Sequence, residues 1–169
     1  MKLTLSSLAL LFFVSTLYSQ SKNKFSLGVE ASISSGYGAS LRYENKIAPK
    51  ASWTISAGYL YFSTGIGGSN YPVGSYSLKP LLTGIKFYFK DDLKGFYLGS
   101  NFGITLLSGT GTSFTWNGNS YSPSSFTQDD SKFTIAPNCG FVSGKFDCTF
   151  QYNLISDANY FSIRGACIF

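Results

Sequence analysis

The sequence predicts an all-β fold, an eight-stranded antiparallel up-and-down transmembrane β-barrel behind a cleavable leader. Three observations carry that prediction. Eight stretches of the 169-residue chain alternate large apolar residues with small polar ones. Charged residues make up 12% of the chain, against roughly 25% in a typical soluble domain. Aromatics reach 18%, beside 18 Gly, one Met and no His. Disorder is excluded, because it requires low hydrophobicity and high net charge together. A helical bundle does not fit a composition in which the helix formers Leu, Ala, Glu and Lys give way to Gly, Ser, Thr, Tyr and Phe. Without His, no mechanism that uses imidazole as base or zinc ligand is open to the chain. Its length suits one domain.

The first segment, MKLTLSSLALLFFVSTLYSQ, places one Lys, an apolar run from Leu8 to Val14 and the small Ser19 in order. That is the layout of a secretory signal peptide, and the apolar run is too short to span a bilayer. The alternative is a buried N-terminal helix. The predicted organisation is a signal peptide over residues 1–19 and a barrel domain over 20–169. No Cys follows the apolar run, so a lipid-anchored N-terminus is not indicated. Removing the leader takes Lys2 and leaves twelve basic against eight acidic residues. Nowhere do the basic residues cluster as a nucleic-acid surface requires, so nucleic acid is not an expected partner.

The remainder has no run of 18 apolar residues, hence no transmembrane helix. Period-2 alternation replaces it. Phe25, Leu27, Val29, Ala31 and Ile33 oppose Ser26, Gly28, Glu30 and Ser32; Tyr37, Ala39, Leu41 and Tyr43 oppose Gly38, Ser40, Arg42 and Glu44. The third segment begins at Trp53, the fourth runs Leu81–Phe89 and the fifth Phe96–Leu106. The sixth, seventh and eighth begin at Phe133, Phe146 and Phe161. Alternation alone describes any half-buried antiparallel sheet. The decision lies in the polar face, which in a soluble barrel would meet water and crowd with Lys and Glu. Here that face is Gly, Ser, Thr and Asn, while the other holds more Phe, Tyr, Trp, Ile and Leu than a small interior could contain. Small residues inside and large ones outside describe a barrel in lipid. Lys79 shares the apolar parity and is expected at the loop end of its strand, near headgroups.

Counting from a periplasmic N-terminus, the even connections Asn45–Lys50, Lys90–Lys94 and Ser143–Gly144 are short. Two of the odd ones, Ser63–Tyr76 and Ser108–Asp130, are long and rich in Gly, Ser and Thr, as cell-surface loops are. Tyr61, Tyr76, Phe89, Phe96, Tyr152 and Phe161 lie where interfacial girdles would sit. Pro137, on the lipid face of the sixth strand, predicts a local irregularity.

With LYSQ at the cleavage region, PLLTGIKFYF before a short turn, GFYLGSNFGI, and the terminal SIRGACIF, the chain resembles the small eight-stranded outer-membrane β-barrel family of OmpA and OmpX type. The resemblance spans the whole chain after the leader. It implies location in the outer membrane of a Gram-negative bacterium, with outer-membrane lipids as neighbours. It also implies insertion by the β-barrel assembly machinery, which reads a final strand ending in an aromatic residue. Phe161, Ile163 and Phe169 match that signal.

Catalysis finds no support in the residues. Barrel hydrolases use a His that this chain lacks, and a carboxylate pair from Glu30 and Glu44 would have Arg42 between them, holding both ionised. Asp129 and Asp130 offer a cation site or, more simply, solvated loop charge. The cysteines lack the neighbours of a zinc site, and GTGTSF lacks the Lys of a phosphate-binding loop. No cofactor is expected. Six charges share the luminal face: Glu30, Glu44 and Asp147 against Arg42, Lys86 and Arg164. Glu30 is expected opposite or diagonal to Arg42, with Arg164 on its other side. A balanced network would fill the interior; the rival reading is an ion-selective path along it.

In the third external loop, Phe114 and Trp116 precede an Asn117–Gly118 turn and Tyr121 follows it. The pattern reads as a protruding hairpin whose aromatics meet an extracellular partner, or as simple loop packing. If Ser143–Gly144 forms a two-residue turn, Cys139 faces Cys148 at disulfide distance. The alternative treats Cys139, Cys148 and Cys167 as small apolar residues against acyl chains. The expected role is structural or surface-interactive, without catalysis. The rivals are a small porin or solute channel and a secreted lipocalin-like carrier.

Overall fold

The computed structural model describes residues 23–64, 73–116, 118, 121–156 and 159–169, so the predicted leader lies outside the described residues. The strands are β1 (Asn23–Ser32), β2 (Gly36–Ala48), β3 (Ala51–Thr64), β4 (Val73–Tyr88), β5 (Gly95–Trp116), β6 (Tyr121–Ser143), β7 (Phe146–Ile155) and β8 (Tyr160–Ile168). Each pairs antiparallel with the one before it, and β8 closes on β1, giving an eight-stranded barrel. Closure pairs the backbone all the way round, which a sheet without surrounding water requires.

The alternation sets the two faces as the residue sizes demand. Val29 and Phe146 are 72% and 67% exposed, while Arg42, Lys86 and Asp147 are buried. Large apolar side chains therefore point out and charged ones point in, the inverse of a soluble barrel. On β5 the outward apolar band runs from Phe96 to Leu106, and on β6 from Phe133 to Phe141. Either stretch is about the length a tilted strand needs to cross hydrocarbon, ~9–11 residues.

Strand lengths divide the barrel. β1, β7 and β8 have 10, 10 and 9 residues and end near the top of the band. β5 and β6 have 22 and 23 and run on well beyond it. Both long Ser-, Thr- and Gly-rich connections read from the sequence as loops are therefore partly strand. β3 and β4 pair up to Thr64 and Gly74, and β5 and β6 up to Trp116 and Tyr121. Small polar residues alternate badly in hydrophobicity yet still form ladders when paired. The expected Asn117–Gly118 turn lies, apart from Gly118, outside the described residues, as do the side chains of Phe114, Trp116 and Tyr121. Lys79 points outward as its parity requires, but it pairs with Leu106 within β4 rather than ending it. Tyr76 also departs from expectation. It turns inward and stacks on Phe62 with ring centroids 4.6 Å apart, so it belongs to the interior and not to a girdle.

Prolines leave a legible trace. Tyr88 donates its N–H to Lys50 and Phe89 donates to Phe96, so even residues of β4 face β3 and odd ones face β5. Pro80 thus turns its missing N–H toward β3, where the recorded pairing lapses between Ala57–Leu81 and Leu60–Leu78. The same alternation carried across β5 turns Pro137 toward β7, and that pairing lapses between Ile135–Leu154 and Asn138–Gln151. The register resumes unshifted on both sides of each lapse, so the irregularity expected at Pro137 is a missing bond without a bulge. The bulge lies elsewhere, at Lys46–Ala48.

Turn chemistry corrects the cysteine pairing. Ser143 pairs with Phe146, so the turn is Gly144–Lys145, with Gly144 at φ +57°, the position that a II′ hairpin fills with glycine. The register moves by two residues from the Ser143–Gly144 reading. Cys139 then faces Phe150, and Cys148 faces Phe141. Cys139, Cys148 and Cys167 are all free and exposed on the outer face. Mass spectrometry of the non-reduced protein should return three free thiols; a Cys139–Cys148 link would require a different β6–β7 register.

Candidate functional site

The interior is built from the inward residues of all eight strands, stacked in layers along the barrel. At the end where β1 starts and β8 finishes, Tyr88, Leu93, Tyr97 and Val142 form an apolar floor. Leu93 enters it from the short 3-10 turn Asp91–Leu93, whose Asp92 and Leu93 take positive φ and so fold the turn back under the barrel. Above the floor come the charges, then a ladder of amides. A second apolar cluster, Leu60, Phe62, Leu78, Ile155 and Tyr160, with Tyr76 and Leu107 against it, lies toward the far end.

Asp147 on β7 organises the charged layer. Its carboxylate accepts from Arg42 Nη1 at 3.2 Å, Lys86 Nζ at 3.3 Å, Arg164 Nη1 at 3.5 Å and the Tyr97 hydroxyl at 2.9 Å. These donors come from β2, β4, β8 and β5. Glu44 on β2 accepts from Ser52 at 2.7 Å, Tyr88 at 2.6 Å and Lys86 at 3.0 Å. Lys86 therefore bridges the two carboxylates, and its ammonium also lies 4.1 Å from the centroid of the Tyr97 ring. Thr149 accepts from Arg42 at 3.1 Å and shares a 2.7 Å hydrogen bond with Tyr97.

Two glycines make room for the long side chains. A Cβ on Gly140 would overlap the Tyr97 hydroxyl, and one on Gly28 would press on Arg164 Nε. Small luminal residues are thus the counterpart of large luminal side chains on the facing strands. In the layer above, Asn101 Nδ2 donates to Gln151 at 3.0 Å, Gln151 Nε2 to Asn153 at 2.7 Å, and Asn153 Nδ2 to Ser162 at 3.3 Å. Such chains satisfy buried amides that would otherwise be costly.

Five of the six luminal charges read from the sequence meet in this network, and Glu30 does not. Its cross-strand neighbours are Gly38 on β2 and Arg164 on β8, while Arg42 stands opposite Ser26, four positions away. Arg164 starts beside Glu30 but passes over Gly28, away from it, donating to Ser40 at 2.8 Å and to Ser26 at 2.9 Å. Arg42 accordingly serves Asp147 rather than separating Glu30 from Glu44. Tyr97, the phenol at the centre of the network, shares inward parity with Gly99 and Asn101. That parity was the one available signal for it.

The other predicted residues are peripheral to the network. Phe161, Ile163 and Phe169 all point outward along the last strand. At the base of the ribbon, Asp129 accepts from Ser108 and Asp130 pairs with Lys132 at 2.9 Å. The Lys132 hydrogen bond and the Ser131 N–H hold the Asp130 carboxyl below its usual range. Replacing Asp147 with Asn should lower unfolding stability by about 3–5 kcal/mol, since three buried cations lose their shared anion. Urea titration of the refolded barrel measures this, and loss of Arg164 alone should cost less.

No protein-family profile matches the sequence, and no curated protein matches it either. Comparison of folds does find similar structures. Ail, the attachment invasion locus protein of Yersinia pestis, superposes with a TM-score of 0.57 at 13% identity, over 88% of this chain and 97% of that one. Ail in complex with the heparin analogue sucrose octasulfate gives 0.53 at 11% identity, over 88% and 97%. The N-terminal β-barrel domain of Pseudomonas aeruginosa OprF gives 0.45 at 8% identity, over 89% and 98%. What is shared at these identities is architecture: this chain has the fold of the small eight-stranded outer-membrane β-barrels.

Proposed function

We propose that the protein is an integral outer-membrane barrel whose interior is closed to solutes and whose work lies at its surface. The role is structural or partner-binding, without catalysis. The inverted polarity carries this reading. A belt of outward Phe, Leu, Ile and Val surrounds an interior that buries Arg42, Glu44, Lys86, Asp147 and Arg164. Such an outer face is stable only where hydrocarbon covers it.

Closure is supported by the layering. Side chains from opposite walls touch across the charged layer, and apolar clusters lie on either side of it. An eight-stranded barrel has only enough interior for its own side chains. Ion selectivity along the charges would need a hydrated path, whereas each acid of the central layer already has at least three donors. The surface role is supported by the β5–β6 ribbon, which projects beyond the apolar band and whose strands are joined at its base by the Ser108–Asp129 hydrogen bond.

The protein should fractionate with the outer membrane and shift its gel mobility on boiling, because the closed barrel resists detergent. Abundant folded protein in the soluble periplasm would overturn the assignment. Reconstituted in a planar bilayer it should show little steady conductance. Large, stable, solute-selective openings would favour the porin reading.

A further inference from the structure

The net charge of the described residues collects at one end of the barrel. Within the lumen three acids face three bases. In the half that bears the long ribbon, Lys79 and Lys132 stand against Asp129 and Asp130. At the opposite rim, where β1 starts and β8 finishes, the described Lys24, Lys46, Lys50, Lys90, Lys94 and Lys145 meet only Asp91 and Asp92 among the described acids. Two of these lysines are engaged: Lys24 donates to the Leu93 carbonyl at 2.7 Å, and Lys46 pairs with Asp92 at 3.3 Å. Lys50, Lys90, Lys94 and Lys145 are exposed on the short turns and form no ion pair with a described residue.

An exposed apolar collar adjoins these lysines. Phe89 precedes Lys90, Phe96 follows Lys94 by two residues, Phe146 follows Lys145, and all three rings point outward, as does Phe169. A partner matching both rings must be anionic at one level and hydrocarbon within one or two residues of it, about 3–7 Å along a strand. Beside Lys145 the outer wall is also hollowed. Over Gly165, where a Cβ would meet nothing within 4 Å, the surfaces of Leu27, Cys148, Cys167, Phe146 and Phe169 border an apolar groove of about 700 Å³. A soluble polyanion would satisfy the lysines and leave the collar and groove bare.

We propose that this rim is a binding collar for anionic phospholipid, with phosphate headgroups on Lys50, Lys90, Lys94 and Lys145 and acyl chains against the phenylalanines. The groove over Gly165 seats one of those chains. The inference rests on the outer-membrane reading above and adds to it a lipid class and a leaflet, the one at the end where β1 starts and β8 finishes. Lysine near a surface of anionic lipid is worth about fivefold in association, and the effect falls as salt screens it.

Spin-labelled phosphatidylglycerol and phosphatidylcholine, each added to the barrel reconstituted in phosphatidylcholine vesicles, test the collar. The motionally restricted fraction should favour phosphatidylglycerol by about fivefold, and the preference should shrink with added salt. The quadruple variant K50Q/K90Q/K94Q/K145Q should bring the ratio near one. The control pair K79Q/K132Q, at the other end, should leave it unchanged. Mobility shift on boiling reports insertion separately, so an inserted barrel without lipid preference overturns the collar alone. Equal association of the two lipids with the wild type, or a preference surviving the quadruple change, overturns it too. Should the quadruple variant fail to insert, K145Q alone must lower the preference; an unchanged ratio counts against the collar. Displacement of the labelled lipid by millimolar inorganic phosphate would show a simple phosphate site and likewise overturn it.

Discussion

Backbone pairing without water is the constraint on which everything else in this molecule depends. A strand that crosses hydrocarbon must find partners on both edges, so the sheet has to close on itself. Once β8 closes on β1, every residue is assigned either to lipid or to an interior of fixed width. The chain meets that demand by giving one parity its Phe, Leu and Ile and the other its Gly, Ser, Thr and Asn. Charges appear only on the second parity through the crossing region, apart from Lys79 at its upper limit. No local propensity would produce this pattern; it follows from closure.

An interior of this width is then lined by what its own walls supply. Eight walls of glycine and serine alone would leave voids, and eight walls of arginine would not fit. The observed solution alternates small and large around the ring. Gly28 lies beneath Arg164 and Gly140 faces Tyr97, so these two long side chains cross the lumen over residues with no Cβ. Desolvating so many charges is expensive unless each is paired and hydrogen-bonded. Asp147 meets that condition by accepting three cations and a phenol, and Glu44 by accepting two hydroxyls and an ammonium. The barrel is therefore held across its middle as well as around its circumference.

Side-chain parity was open to reading from the sequence, because period 2 is a property of consecutive residues. Register and side-chain direction were less so. Ser143–Gly144 looks like a two-residue turn on composition, yet the chain turns at Gly144–Lys145. A two-residue shift there leaves every side chain on its proper face, which is why the alternation gave no warning while the cysteine pairing changed. Glu30 and Arg164 were rightly placed on neighbouring strands. Arg164 nevertheless points away from Glu30, because Ser26, Ser40 and Asp147 lie along the path that Gly28 opens. Strand extent beyond the apolar band was hidden because Ser, Thr and Gly carry no hydrophobic period, whether they form a ladder or a loop.

The three prolines of the strands show how closely residue choice follows bonding direction. A proline in a ladder costs one donor, and the cost depends on which neighbour that donor would have served. Pro80 aims its vacancy at β3 and Pro137 at β7, and at both sites the adjacent pairs carry the register across the gap. Pro123 shares the parity of Pro137, so by the same alternation its vacancy faces the side of β6 that β7, ending at Ile155, never reaches. In the membrane a lost bond has to be spanned by intact neighbours; above it no described strand stands there to lose one. Proline is thus tolerated singly within the band, and on β6 beyond it lies along the edge that the shorter strand leaves behind.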